Sequence, residues 1–231
     1  MNFDSSQQLT VFSSEGRLSQ CDNALKAASN GSASVGASSQ DGAVLVSFKD
    51  TPPLVIKNEY SKIFSICSSI GCTYSGLQPD CRIQLMLASK ICEDYYDVYQ
   101  RYPDLDIFVS IFSGEVQEYT IKKGYRPFGT LMLFVGESNG SPVMYQVDPS
   151  GSYQIKEVAA IGKDYEEVEK YVSRRKEMLD DNIASCLESI REYAGREIKV
   201  EDVDIGVFSG GVFRIFSLEQ TQEIFDSINR H

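Results

Sequence analysis

The sequence holds a single histidine, and it is the last residue, His231. That scarcity excludes Ser-His-Asp, Cys-His and histidine-metal chemistry built inside the chain. Positive charge is also short, with 22 lysines and arginines against 33 acids and a net charge of -11. Such a chain has no general attraction for nucleic acid or for an anionic membrane, so neither is expected as a partner. Long apolar runs are missing too. Residues 130–135 form one of the longest, and that is strand length, far below a membrane span. The start, Met1-Asn2-Phe3-Asp4, lacks the basic-then-apolar pattern of a secretory signal, so an intracellular protein is expected. The Asn-x-Ser sequences at Asn30 and Asn139 then carry no expectation of glycosylation. No linker and no repeat of 20–50 residues interrupts the chain. With 231 residues, 42% of them hydrophobic, residues 1–231 are expected to form one domain with a sizeable core.

Six cysteines stand at positions 21, 67, 72, 81, 92 and 186. In a reducing compartment they are most simply core thiols. Cys67-x4-Cys72 falls on strand-like sequence with no second close pair and no nearby histidine, so no metal site is expected. Gly162-Lys163 lacks the upstream glycine of a phosphate-binding loop, since Glu157 stands where one is needed. No cofactor is expected.

The remaining pattern is rich in periodicity. Residues 18–30 predict a short N-terminal helix, with Leu18, Cys21, Leu25 and Ala28 on one narrow apolar stripe and Asn30-Gly31 as its stop. Strands follow at 35–38 and 42–48, joined through Asp41-Gly42, a strong hairpin signal, and then at 63–67 and 71–75. Pro79 and Asp80 suit the first turn of a long helix that buries Leu85, Ala88, Cys92, Tyr95 and Tyr99. A second helix reaches Gly124. Strands recur at 130–135, 142–147 and twice within 153–161. Two helices centred on Tyr165, Val168, Val172 and on Ile183, Leu187, Ile190, Ala194 come next. A hairpin across Ser209-Gly210-Gly211 and a helix over 218–228 end the pattern. Strands in hairpins and helices in pairs are not the alternation of a parallel sheet. Two antiparallel sheets packed face to face and covered by helix pairs would bury it, which makes the fold class α+β.

Several segments are similar to those of proteasome alpha-type subunits. Near the start these are Phe12-Ser13-Ser14, Gly16-Arg17-Leu18, Gln20-Cys21-Asp22-Asn23-Ala24 and Ser34-Val35-Gly36. Further on come Ser75-Gly76 with Asp80 and Arg82, then Gln117-Glu118-Tyr119-Thr120 with Arg126-Pro127-Phe128-Gly129. Asp148-Pro149-Ser150-Gly151 and Ala160-Ile161-Gly162 complete the set. The resemblance covers the whole chain and implies the four-layer αββα sandwich of N-terminal nucleophile hydrolases. It implies a non-catalytic subunit of the 20S proteasome, a threonine-protease complex of protein degradation in cytoplasm and nucleus. The partners implied are other alpha subunits in a seven-membered ring, the beta-ring subunits, and the C-terminal tails of activators.

The same resemblance gives candidate residues. Lys62 matches a family lysine that receives the carboxylate of an activator tail between neighbouring subunits, at the base of a half-exposed pocket. Gly76 and Leu77 would be its neighbours. Residues 1–17 correspond to a gate segment, and Ser5, Ser6 and Ser14 within it, with Asn23 on the helix that follows, occupy the positions of a pore-ordering cluster. All four replacements remove bulk or charge, so the cluster's role is not carried over and the tail is expected to be weakly ordered or held by other contacts. No catalytic residue is expected. The alternative, an N-terminal nucleophile hydrolase cleaved before Ser32 or Ser34, lacks a threonine there. It also places Phe48 where the second strand needs an acid.

Overall fold

The computed structural model describes residues 12–52, 54–175 and 178–228. The chain opens with α1 (Ser19–Ser29), followed by β1 (Ser34–Ser38), β2 (Ala43–Phe48), β3 (Ile63–Cys67) and β4 (Ile70–Gly76). Helices α2 (Gln78–Tyr99) and α3 (Leu105–Ile121) come next, then β5 (Thr130–Ser138), β6 (Ser141–Val147), β7 (Tyr153–Lys156) and β8 (Val158–Ile161). The order closes with α4 (Tyr165–Ser173), α5 (Leu179–Tyr193), β9 (Val203–Ser209), β10 (Val212–Ile215) and α6 (Leu218–Ile228).

Two five-stranded sheets result, in the orders β10-β9-β2-β1-β8 and β3-β4-β5-β6-β7. Their strand pairs are antiparallel. The break between β7 and β8 follows composition. Tyr153, Gln154 and Ile155 of β7 are exposed, whereas every residue of β8 is buried. After the single residue Glu157 the chain leaves one sheet and pairs Ile161, Ala160, Ala159 and Val158 with β1 in the other.

Side-chain alternation makes the layers. In β2, Val44, Val46 and Phe48 face a cluster with Val168, Val172, Ile183, Leu187, Ile190 and Phe225 of α4, α5 and α6. Ala43 and Leu45 of the same strand face the other sheet, meeting Leu131, Leu133, Val135 and Met144. On that sheet's far side, Tyr74, Met132 and Phe134 pack against Ala88 and Cys92 of α2 and Phe108 and Phe112 of α3. The result is the expected αββα sandwich. Each fully buried large side chain of these clusters contributes about 1.5–3 kcal/mol by leaving water.

Two predicted helix faces are corrected. In α1 the buried residues are Ala24 and Ala28, while Leu25 is 41% exposed. The helix backbone lies directly against Gly76: a Cβ there would sit 2.9 Å from the Ala28 Cα and 2.1 Å from the Gly129 carbonyl. Only an alanine face fits so close an approach. In α2 the buried residues are Asp80, Cys81, Gln84, Ala88 and Cys92, and Tyr99 is exposed. A helix of 22 residues runs about 33 Å, but the seven residues of β4 beneath it span about 24 Å. Val98 and Tyr99 in its last turn are exposed.

Candidate functional site

The N-terminal end of β1 is where the two alternatives, structural subunit and hydrolase, make different demands. The turn from α1 into β1 is pinned on three sides. Ser75 donates its hydroxyl to the Ala28 carbonyl at 2.9 Å, and the Lys163 N–H donates to the Gly31 carbonyl at 2.9 Å. A Cβ on Gly31 would lie 2.3 Å from the Gly76 nitrogen, so this corner admits only glycine. The left-handed φ of +94° at Gly162 brings that residue against the Gly31 and Ser32 carbonyls from the third side.

Under this turn lies Lys62, 2% exposed. Its ammonium donates to the Ser32 carbonyl at 2.9 Å, to Ser32 Oγ at 2.6 Å and to Ser34 Oγ at 3.3 Å. Ser34 Oγ in turn lies 2.6 Å from Ser47 Oγ and accepts from Thr73 Oγ1 at 3.2 Å. Burial pulls the Lys62 pKa down to about 7, and the carboxylates of Asp204 and Asp50 oppose that only in part. The half-exposed tail pocket expected from the resemblance lies between neighbouring subunits, and the single chain shows its own side of that place. The lysine is interior, and its donors are already used on Ser32 and Ser34. Gly76 touches Gly31, the residue before Ser32. Leu77, 44% exposed, donates its N–H to the Gly129 carbonyl.

A lysine that shares its proton this readily, 2.6 Å from a serine hydroxyl, resembles half of a nucleophile–base pair. Three features withhold the chemistry. The segment before Ser32 is folded into the domain, with Ala28 bonded to Ser75 and Gly31 set against Gly76. Phe48 is a buried core residue, 6% exposed, with the Arg196 guanidinium 5.0 Å from its ring centre. The ammonium of Lys62 is interior to the single chain, with its bonds made to Ser32 and Ser34. Cleavage before Ser32 or Ser34 is accordingly not favoured. Among the described residues no group of His, Cys, Asp or Glu side chains could hold a metal ion.

Of the gate positions, Ser14 is exposed in a turn and Asn23 is exposed on α1, while Ser5 and Ser6 lie outside the described residues. The turn is closed by Ser13 N–H to Arg17 O at 2.8 Å and by the Arg17–Asp22 ion pair at 3.0 Å. Neither Ser14 nor Asn23 takes part in those bonds.

The segments that carried the family resemblance meet in space. Asp80, 5% exposed, takes both Arg126 nitrogens, at 2.6 and 2.8 Å, and the Gly129 N–H at 2.8 Å. Burial raises the pKa of its carboxyl, but these bonds and the Arg126 charge outweigh it and the net shift is downward. Arg126-Pro127-Phe128-Gly129 is thus tied to the start of α2, beside the turn that ends α1. Asp148 closes the Asp-Pro-Ser-Gly turn by accepting from Ser150 N–H at 2.8 Å and Ser150 Oγ at 2.6 Å.

The proteasome subunit family model matches residues 28–208. The chain belongs to the proteasome subunit family. It is 32% identical to the proteasome subunit alpha type-2 of Trypanosoma brucei brucei, over 97% of this chain and 99% of that one. It is 33% identical to the alpha type-2 subunit of Caenorhabditis elegans, over 93% and 94% of the two chains. With the alpha type-2 subunit of Dictyostelium discoideum the identity is 36%, over 83% and 84%. Ala24-Leu25, Ser34-Val35-Gly36 and Arg126-Pro127-Phe128-Gly129 are the segments by which the sequence itself most resembles the second alpha type.

Sequence reasoning missed the polar residues beneath the turn. Ser47 and Thr73 complete the bonding around Ser34, and Ser61 bonds Asp204. The available signal was a lone serine in the otherwise apolar Ala43-Val44-Leu45-Val46-Ser47-Phe48. A polar residue buried on a strand needs a partner.

Proposed function

We propose that this chain is a non-catalytic structural subunit in the alpha ring of the 20S proteasome, working in ring assembly, regulator docking and a share of pore gating. The observation that carries the reading is the packing of α1 at the head of β1: the Ala28 carbonyl accepts from Ser75, the Gly31 carbonyl accepts from Lys163 N–H, and Gly31 lies against Gly76, so the segment before Ser32 is built into the domain. Its partners would be other alpha subunits in a seven-membered ring and the beta subunits of a threonine protease beneath them, in cytoplasm and nucleus. Residues 1–231 would act as one domain, with 1–17 as the gate-facing segment and 18–30 as the helix on the ring face. Native mass spectrometry of the particle from its own cells, followed by dissociation, tests this. The expected result is a very large complex releasing this chain with residues 1–31 intact. A chain shortened by about thirty residues, or a free species of one or two chains, would overturn it.

For docking, Leu77 supplies an exposed apolar contact, and Lys62 lies behind Gly31 and Gly76. An incoming tail carboxylate would take the place of the Ser32 hydroxyl on the Lys62 ammonium, a charge-assisted bond replacing a neutral one. In the assembled particle, Lys62→Met should weaken binding of an activator-tail peptide about tenfold or more, and amidating the peptide should do the same in the unaltered particle. Unchanged binding in both cases would remove Lys62 from this role.

A further inference from the structure

The sequence holds two Asn-Gly pairs, Asn30-Gly31 and Asn139-Gly140, and the fold treats them in opposite ways. An asparagine before glycine is chemically labile, because no side chain hinders the glycine nitrogen from reaching the asparagine side-chain amide. Asn30 caps the end of α1, where its own N–H donates to the Lys26 carbonyl at 3.2 Å. The Gly31 N–H donates to the Ala28 carbonyl at 3.2 Å, and the Gly31 carbonyl takes the Lys163 N–H at 2.9 Å. With Gly31 also wedged against Gly76, its nitrogen is not free to turn. At Asn139-Gly140 nothing of the kind holds. These two residues make up the whole turn between β5 and β6, closed by the Ser138–Ser141 pair, and both are exposed. Their φ values are +51° and +76°, the two positive angles that a type I′ hairpin requires. Among the described residues the Gly140 N–H finds no acceptor, and beyond its own chain neighbours no atom lies within 4 Å of the place where a Gly140 Cβ would stand. The Asn139 side-chain amide donates to Ser138 Oγ at 3.3 Å, which holds it beside the main chain.

We propose that Asn139 is a site of spontaneous modification, at which Asn139-Gly140 closes to a succinimide and reopens as an isoaspartyl or aspartyl residue. The Gly140 nitrogen gives its proton to water and attacks Cγ of the Asn139 side chain. The bond from Cγ to the amide nitrogen breaks, that nitrogen takes up a proton, and ammonia departs from a five-membered ring. Water then adds to one of the two ring carbonyls. Addition at the main-chain carbonyl gives isoaspartate, and addition at the side-chain carbonyl gives aspartate. One amide and one water become one carboxylate and one ammonium ion. The ring closes only after the turn opens locally, and an exposed hairpin tip does so with a small opening free energy. At Gly31 the same rotation must first break the bonds to Ala28 and Lys163. An isoaspartyl residue carries the main chain through an extra methylene, which a two-residue turn cannot hold without releasing the Ser138–Ser141 pair. Either product adds a negative charge close in sequence to the exposed Glu137.

The test uses the assembled particle, kept at physiological temperature in mildly alkaline buffer and sampled over days to weeks. Each sample is cleaved after lysine at mildly acid pH, where ring closure is slow, and the peptides are mapped by mass and by elution. Peptide 124–156 should convert steadily to two products, each heavier by the exchange of an amide NH2 for OH, with the isoaspartyl form in excess. Peptide 27–49, which carries Asn30, should convert at least about tenfold more slowly. In a parallel sample denatured before incubation, the two should convert at similar rates, which assigns the difference to the fold and not to the sequence. The proposal is overturned if Asn139 stays intact in the particle, or if Asn30 keeps pace with it there. It is equally overturned if aspartate forms at Asn139 without isoaspartate, the mark of direct hydrolysis with no ring.

Discussion

Lys49 and Lys62 are both buried, at 4% and 2% exposure, and both contact Asp204, yet they are held in different ways. Lys49 places its ammonium 2.7 Å from Asp204 Oδ1, a direct ion pair. Lys62 gives Asp204 only its backbone N–H, to Oδ2 at 2.8 Å, and sends its ammonium the other way, to Ser32 and Ser34. Those acceptors are neutral, and burial pulls the pKa of Lys62 down to about 7, with Asp204 and Asp50 opposing it only in part. Burial alone does not decide the state of an interior lysine; the partner does.

The largest effect should come from breaking the paired member. Asp204→Asn leaves the Lys49 ammonium buried without its counter-charge and should lower unfolding stability by about 3–5 kcal/mol. Lys49→Met added to Asp204→Asn should recover most of that loss in a denaturant titration. A single-variant loss below about 1 kcal/mol would erase the distinction between the two lysines. A smaller effect sharpens the unpaired member. Lys62 titrates near 7 when folded and near 10.5 when unfolded, so between these values the unfolded chain holds more protons. Stability should therefore rise with pH across that window, by up to about 1.4 kcal/mol per unit, and below it the unfavourable contribution is complete and constant. Subtracting the Lys62→Met profile from the unaltered one isolates this slope. A flat difference between pH 7 and 10.5 would mean that Lys62 stays charged in the fold.

What the sequence revealed about the fold depended on the range of the interaction concerned. Hairpins written in adjacent residues, such as Asp41-Gly42 and Ser209-Gly210-Gly211, were legible, and so was the last helix, found at Leu218–Ile228. Asp41 also bonds the Leu179 N–H at the start of α5, a contact across 138 residues that no local pattern carries. The faces of α1 and α2 were misread for a related reason. Apolar spacing marks a stripe, but the closeness of Gly76 and Gly129, and the length of sheet under α2, decide which stripe is covered. At the site, Lys62 was singled out through its family match, whereas its burial in the single chain was not foreseen. The residues that enclose it, Ser32, Ser34, Ser47 and Thr73, are scattered over three strands and a turn.

The two sides of α1 also answer differently to salt. Before the helix, the Arg17–Asp22 pair is open to water, with side chains 65% and 35% exposed. Raising the ionic strength from 0.1 M to 1 M shortens the screening length from about 10 Å to about 3 Å, which weakens such a pair. After the helix, the bonds from Lys62 to Ser32 lie out of reach of ions. Concentrated salt thus weakens the ion pair at the leading end of α1 and leaves the buried hydrogen bonds beyond its trailing end in place.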